Sequence, residues 1–403
     1  MKFGIVGGGA AGLYCAWKIL QQDASHEVHV FEKSSRIGGR IYTKNYKGAK
    51  LELGAGRLSD NHKLLLSLCH HFKLNLIKIG NKTTYFKDGK KQSIDINSVI
   101  KNIIDKSKSF DTSYLKSMTL DMFVRSNKIL VSSELDDLIY AFGYHGDFEN
   151  SNAHDAIEAM KRDKGSDIQY YLINGGMTKV TKCLTNDIKK MGGKINVNTG
   201  VLQWDGLNTL TFFDGSQQSF DKIFFCLPKA GLKAVSVDVY DKDLEKCLRT
   251  VNECSLIRVF AKYEKTWFDF MKETGKVTMN STLCHIIPIN FDEGVAMIVY
   301  ADEKFARFWH NIEEKYGKTG VANEIEKQIG YVWKNAPRAS WIYTKYWDCG
   351  VHLWGVNPFK YSNKPDSVHF VCGESVAHHH KCWVEGALES AHEAIQKCFL
   401  TTK

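Results

Sequence analysis

Apolar and polar positions along the 403-residue chain follow two periods, and the chain switches between them several times. Phe3-Gly4-Ile5-Val6 is a short, partly β-branched apolar run, the pattern of a parallel strand covered on both faces. Helical spacing follows from about Ala10 to Leu20, and Val28-His29-Val30-Phe31 is a second apolar run. Lys44 to Gly56 reads as strand and turn, and Asn61 to Leu74 as a helix with Leu64, Leu65, Leu68 and Phe72 on one face. Asp95 to Lys164 is polar and lysine-rich with helical stretches such as Leu120 to Phe142, which predicts a helical insertion. Beyond Tyr171 a helix turns Val180, Leu184 and Ile188 inward. Ile195–Val197 and Val201–Trp204 then read as strands, and Phe212 to Phe225 as a hairpin around Asp214-Gly215. Leu256–Tyr263, Thr282–Ile289 and Val295–Tyr300 are β-like, Phe305–Tyr316 and Val321–Lys334 helical, and short strands and a final helix close the chain. The fold class expected is α/β: a Rossmann-like nucleotide domain of discontinuous segments, with an inserted mixed-sheet substrate domain and a helical insertion. Its expected boundaries are 1–60, 171–232 and 338–403 for the first domain, and 61–170 and 233–337 for the second.

The first forty residues carry the chemistry that organises the rest. After the strand at Phe3, Gly7, Gly9 and Gly12 supply the spacing G-x-G-x-x-G, with Ala10 and Ala11 opening the helix. The first glycine permits the tight turn, the second lets a pyrophosphate reach the backbone, and the third lets helix and strand pack. The helix N-terminus presents N–H groups to phosphate. The return strand ends on Glu32, about twenty residues after the last glycine, where a carboxylate accepts ribose hydroxyls.

Composition narrows the class. Apolar residues are 43% and charged residues 25% of the chain, as in soluble globular proteins. The net charge of +9 is scattered, and no basic block suits nucleic acid or a membrane surface. No stretch approaches a membrane span, and no charged and apolar leader precedes Phe3. Eleven cysteines without a C-x-x-C pair read as buried thiols in a reducing, cytoplasmic setting. No metal site is expected, since the adjacent His378-His379-His380 cannot easily share one ion.

Arg36-Ile37-Gly38-Gly39-Arg40, directly after Glu32, goes beyond a general dinucleotide pattern. With Phe370-Val371-Cys372-Gly373-Glu374-Ser375 and Trp383-Val384-Glu385-Gly386-Ala387 it resembles the flavin-containing amine oxidases, which include monoamine, polyamine and L-amino-acid oxidases. Ile173–Met177, Val197–Val201 and Trp341–Gly350 resemble further segments of that family, so the likeness runs in order along nearly the whole chain and is weakest from Asp95 to Lys164. The resemblance implies non-covalent FAD. Its contacts would come from the glycine turn, Glu32, Arg36, Gly38, Gly39, Arg40, Gly54, Ala55 and Gly56, with Val201 on the adenine side. Glu374 beside Gly373 would meet the ribityl chain, Trp341 would lie against the flavin, and Trp383, Val384 and Ala387 would bring the last helix to it.

Substrate is read from Arg57, which matches the position where amino-acid oxidases hold a carboxylate. A guanidinium takes a carboxylate through two parallel hydrogen bonds. The competing reading is an internal salt bridge or a flavin oxygen. The reaction implied is hydride transfer from the carbon bearing a neutral amine to flavin N5, with imine hydrolysis, dioxygen as acceptor and hydrogen peroxide released. Two departures stand out. Arg258 occupies the place of a family lysine near the flavin, which puts oxygen reactivity in question. Trp383 supplies one wall of the amine cage, Cys382 replaces a glycine beside it, and His285 is expected as a polar contact on the other wall. Cys349 is displaced from the position of a covalent flavin link. The first-choice substrate is an L-α-amino acid. A polyamine is the alternative, supported by the acids Asp147, Glu149, Asp155, Glu158 and Asp163, and a flavin-binding protein without turnover is the third reading. A homodimer is left open.

Overall fold

The computed structural model describes residues 1–80, 82–163 and 168–400. Lys164, where the expected helical insertion ends, lies outside them. Five parallel strands form the nucleotide sheet in the spatial order Lys194–Asn196, Glu27–Phe31, Lys2–Val6, Lys222–Phe225, His369–Val371. The apolar runs are continuous because both faces are covered. Phe3, Ile5, Phe224 and Phe370 turn to the helices Ala10–Gln22, Thr178–Lys190 and Val384–Phe399. Val6, Phe31, Phe225 and Val371 turn to the small antiparallel sheet that carries Val201 and Trp204. Lys222–Phe225 therefore belongs to the parallel sheet, and the hairpin around Asp214-Gly215 is confined to Thr209–Phe212 and Gln217–Ser219.

The second sheet has seven strands in the order Trp341–Trp354, Val251–Lys262, Val295–Asp302, His285–Asn290, Lys276–Met279, Thr83–Lys87, Lys90–Gln92. The long strand Trp341–Trp354 pairs antiparallel with Val251–Lys262 along its length. A first-domain segment starting at 338 thus contains a strand of the second sheet, because pairing a strand this long satisfies more backbone than leaving it at the nucleotide domain. One face packs on the helix Glu303–Val332, where the expected break between two helices is a kink at Gly317 (φ 63°). The other, through Phe260 and Met297, packs on the hairpin Thr43–Glu52. The helices Ile96–Ser107, Leu120–Ser126, Ser132–Phe142 and Ala153–Asp163 enclose their own core of Phe123, Leu135 and Phe148. The expected single helix Leu120 to Phe142 is two, the second starting with Glu134 bonded back to the Val131 N–H at 3.1 Å. No described helix is long and apolar enough to cross a membrane.

Candidate active site

The site begins where the first strand stops. Gly7 has φ +111°, and a Cβ on it would sit 2.5 Å from the Cys226 carbonyl oxygen. A Cβ on Gly12 would lie 2.0 Å from the Gly7 oxygen, so only glycine lets the helix cross the strand there. Gly9 differs: a Cβ on it meets nothing within 4 Å, and one on Gly39 would come within 3.4 Å of the Gly9 Cα. The two glycines line an open cradle at the start of Ala10–Gln22, whose N-terminus has no side-chain cap. Its first N–H groups, those of Ala10, Ala11 and Gly12, point where a phosphate would sit. Glu32 accepts from the Gly8 N–H at 3.0 Å and from the Ser34 N–H and hydroxyl at 2.9 and 2.8 Å. Val201 is buried opposite Phe212, and the adjoining loop donates the Thr199 N–H to the Glu32 carbonyl at 2.9 Å.

The loop after Glu32 closes on itself. Gly38, at φ +117°, donates its N–H to the Gly8 oxygen at 2.8 Å. Arg36 donates to the carbonyls of Ile37, Ile41 and Gly39 at 3.1, 2.9 and 2.5 Å and lies over the Tyr42 ring. Its guanidinium shapes the loop that follows Glu32. Arg40 is placed differently: one nitrogen donates to the Gly350 oxygen at 3.0 Å and to Glu374 at 2.9 Å, and the side chain keeps 30% of its exposure. Gly54 is demanded by Arg40, since a Cβ would sit 1.8 Å from the Arg40 oxygen. A Cβ on Gly56 would meet that of Glu52 at 2.8 Å. Between them Ala55 donates its N–H to the Arg40 oxygen at 3.0 Å.

Glu374 is held from several sides. One oxygen accepts the N–H groups of His352 and Cys382, each at 2.9 Å. The other takes Arg40 at 2.9 Å and His352 Nδ1 at 2.5 Å. These four contacts occupy a carboxylate's four lone-pair sites and fix its orientation at the end of the last strand of the nucleotide sheet. Gly373, just before it, adopts φ +134° and donates its N–H to Ser390 at 2.8 Å. Burial raises the Glu374 pKa, but His352 and Arg40 outweigh it and hold the carboxyl well below the usual range. Burial works to neutralise His352, and the Glu374 charge overrides it and raises its pKa. His352 had no local signal in the sequence; it is found only by the pairing of its strand beside the last sheet segment.

Arg57, Trp383, Arg258 and His285 are brought together, and three unforeseen tyrosines complete the group. Arg57 lies over the Tyr170 ring (5.0 Å) and the Trp383 ring (5.4 Å) and donates to the Tyr144 hydroxyl at 3.2 Å. The pairing of Leu58–Ser59 with Tyr170–Tyr171 sets that stack, and Tyr170 and Trp383 are themselves stacked at 6.0 Å. Burial disfavours the Arg57 charge, while the phenols of Tyr144, Tyr300 and Tyr170 and the Asp163 carboxylate favour it and win. Tyr144 contacts Tyr300 edge-on at 5.6 Å, and His285, fully buried, lies 4.8 Å from Tyr144 and 5.6 Å from Tyr300. Burial, then Tyr300, pushes the Tyr144 pKa up, so the phenol is a neutral donor. Arg258 sits opposite Tyr300 in the antiparallel register, covers its ring at 4.6 Å, and donates to the carbonyls of Glu52 and Gly54. The only hint of Tyr300 in the sequence is a polar tip inside an apolar strand.

Val384 and Ala387 lie on the first turn of the last helix and pack into the nucleotide core. Trp341 does not join them. It packs edge-on against Tyr46 at 5.3 Å and pairs with Lys262. Nine residue steps along the strand, about 30 Å, separate it from Gly350. Trp347, whose indole N–H reaches the Leu53 oxygen at 2.7 Å, is the tryptophan of that strand nearest Gly54. Cys349 is turned to His352 Nε2 at 3.2 Å. His378 and His380 go separate ways, to the Tyr361 oxygen and to Glu389. The acidic residues of the insertion also disperse: Glu149 pairs with Lys304, Glu158 with Lys161, Asp155 with Asn152 and His154, and Asp163 with Arg162 and the Trp383 indole.

A nucleotide cradle joined to an aromatic cage under a second sheet forms a site for a dinucleotide cofactor beside a small-molecule subsite. A profile described as flavin containing amine oxidoreductase matches residues 10–397, and the chain belongs to that family, whose enzymes are FAD-dependent amine oxidases. L-amino-acid oxidase of Bothrops pauloensis is 22% identical over 96% of this chain and 86% of its own length. L-amino-acid oxidase of Mus musculus is 46% identical over 77 residues, 19% of this chain and 12% of that protein. Among solved structures, wild-type putrescine oxidase bound to putrescine has TM-score 0.78 at 15% identity, covering 98% of this chain and 99% of that one. Its A394C mutant has TM-score 0.79 at 15% identity, with 98% of both chains covered. The cradle at Gly9 and Gly39, the uncapped helix and Glu32 suit the phosphates and adenosine ribose of FAD.

Proposed function

We propose that this enzyme oxidises an L-α-amino acid to the imino acid, with Arg57 holding the substrate carboxylate. The observation that carries the reading is the company Arg57 keeps. Among the described residues no carboxylate lies within salt-bridge distance of it, and its direct neighbours are Tyr144, Tyr170 and Trp383. A guanidinium held this way at an aromatic wall has fork donors to offer an anion, and a carboxylate bound there is fixed by two parallel bonds. Tyr144, a neutral phenol, lies in reach of the same anion, with Tyr300 behind it. FAD, when bound, accepts the hydride from the α-carbon. The protein's part is orientation and dryness: Arg57 and Tyr144 fix one end of the substrate, Trp383 and Tyr170 stack along it, and His285 closes the far wall. One nitrogen of Arg258 donates to the carbonyls of Glu52 and Gly54 on the backbone leading to Arg57, so it supports that arm. We take dioxygen as the acceptor, giving hydrogen peroxide, and a reducing, cytoplasmic location, supported by eleven free cysteines.

A polyamine is the second reading, supported by the putrescine oxidase fold, although most of the insertion's acids already have partners in the protein. Anaerobic mixing of the holoenzyme with single L-amino acids, and separately with putrescine and spermidine, tests the choice. Bleaching of the flavin by at least one amino acid is expected. Bleaching by the polyamines alone would reject the carboxylate reading, and bleaching by none would favour a flavin-binding protein without turnover.

A further inference from the structure

The strand Val295–Asp302 ends on a carboxylate that neglects its nearest helix. Asp302 occupies the cap position of Glu303–Val332, where an aspartate ordinarily accepts an N–H from the first turn of its own helix. It makes no such bond. Its two oxygens accept instead the N–H groups of His145 at 3.1 Å and Gly146 at 2.8 Å, both in the helical insertion. The backbone is bent to allow this. Glu303 has φ +46°, a left-handed conformation that side-chain-bearing residues avoid. The bend is held by Glu303 itself, which binds Arg307 at 2.8 Å and the Ser255 N–H at 3.2 Å.

Asp302 is buried, with 3% of its surface exposed, and has no ion-pair partner among the described residues. A buried carboxylate is costly, and the contacts offsetting that cost here are the two N–H groups of the 145–146 turn. That turn directly follows Tyr144. Gly143, just before, has φ +79°, and a Cβ there would strike His285 at 2.1 Å, so the turn is pressed onto the sheet. Asp302 lies two residues from Tyr300 on the same face of its strand.

We propose that Asp302 is a positioning residue for Tyr144: by docking the 143–146 turn on the substrate sheet it sets that phenol against Arg57 and fixes the carboxylate end of the substrate subsite. The inference rests on the carboxylate reading above, and its test separates the two. In the holoenzyme, hydrogen–deuterium exchange at His145 and Gly146 should quicken about tenfold in D302N and D302A, with the nucleotide sheet unchanged, as expected when a bond to a charged acceptor is lost. The KM for the best amino acid should rise about tenfold with kcat within about twofold, and in a Y144F background the Asp302 replacement should add little further. Exchange at His145 and Gly146 unchanged in D302N, or effects of D302N and Y144F that multiply independently, would overturn the proposal. If wild-type enzyme turns over no amino acid, the carboxylate reading alone falls, and the exchange arm still decides the docking role. D302N keeps the side-chain volume and serves where D302A fails to fold.

Discussion

At the scale of single residues, the site is a set of cations whose partners differ in kind. Arg36 is spent on loop carbonyls, Arg40 on Glu374, Arg258 on the carbonyls of Glu52 and Gly54, and Arg57 on a phenol. Of the four, only Arg57 has a neutral phenol rather than a carbonyl or a carboxylate as its hydrogen-bond partner. Arg57→Ala is therefore expected to lower kcat/KM for amino acids by about 2–5 kcal/mol, the scale for truncating one member of a charge pair. Stopped-flow flavin reduction checks it; kinetics matching wild type would remove Arg57 from the substrate site. Arg57→Lys should recover only part of the loss, because an ammonium cannot reproduce the planar fork.

At the scale of elements, distant side chains finish what local sequence leaves open. The helix Lys63–His71 has no side-chain cap of its own at His62. Glu385, on the last helix, supplies one: its two oxygens accept the N–H groups of Leu64 and Leu65 at 2.7 and 2.8 Å. Burial raises the Glu385 pKa, and these two bonds oppose it. Glu385→Ala should cost about 1–2 kcal/mol, the range for a lost N-cap. A thermal melt of the holoenzyme should show this as a lower Tm, and no change in Tm would mean that the cap is satisfied otherwise. The first glycines and their strands were legible because turn, close approach and helix entry are all decided within a dozen neighbouring residues. The bonds of Arg36 to the carbonyls of its own loop were not legible: these partners are also local, but which way a long side chain folds back is invisible in a one-dimensional pattern.

At the scale of the molecule, burial of charge sets how stability depends on pH. Burial pushes Asp302 up from 3.8 to about 7, against the two N–H bonds from Gly146 and His145, and the charges of Asp147 and Glu303 add to the rise. His145, Lys304 and the buried thiols of Cys254 and Cys284 are further titratable groups beside it among the described residues. A raised acid favours folding fully below its unfolded pKa, near 4, and that contribution is lost as pH climbs to about 7. His145, lowered to about 4 by burial, works in the opposite direction, gaining stability over a similar range. The difference between wild type and D302N isolates the carboxylate. The Tm of wild type relative to D302N should fall between pH 5 and pH 8 in buffers of equal ionic strength; a constant difference would show that Asp302 does not titrate there.

The sequence by itself determined the nucleotide half: Gly7 to Gly12, Glu32, Gly38 and Gly39 lie close along the chain, and each flavin-family signature is short and local in itself. It also pointed to Arg57, through a motif. Tertiary structure alone decided what surrounds that arginine. Tyr144 comes from the insertion, Tyr170 from a short strand, Tyr300 from the second sheet and Trp383 from the last helix, so no window of sequence contains the cage. The same holds for Glu374, whose four acceptor sites are claimed by Arg40, His352 and Cys382, and for Trp341, whose register places it at the remote end of its strand. Patterns reveal which backbone a segment adopts, because that is settled by neighbours. Which charge meets which phenol depends on strand register and domain docking, which only the folded chain supplies.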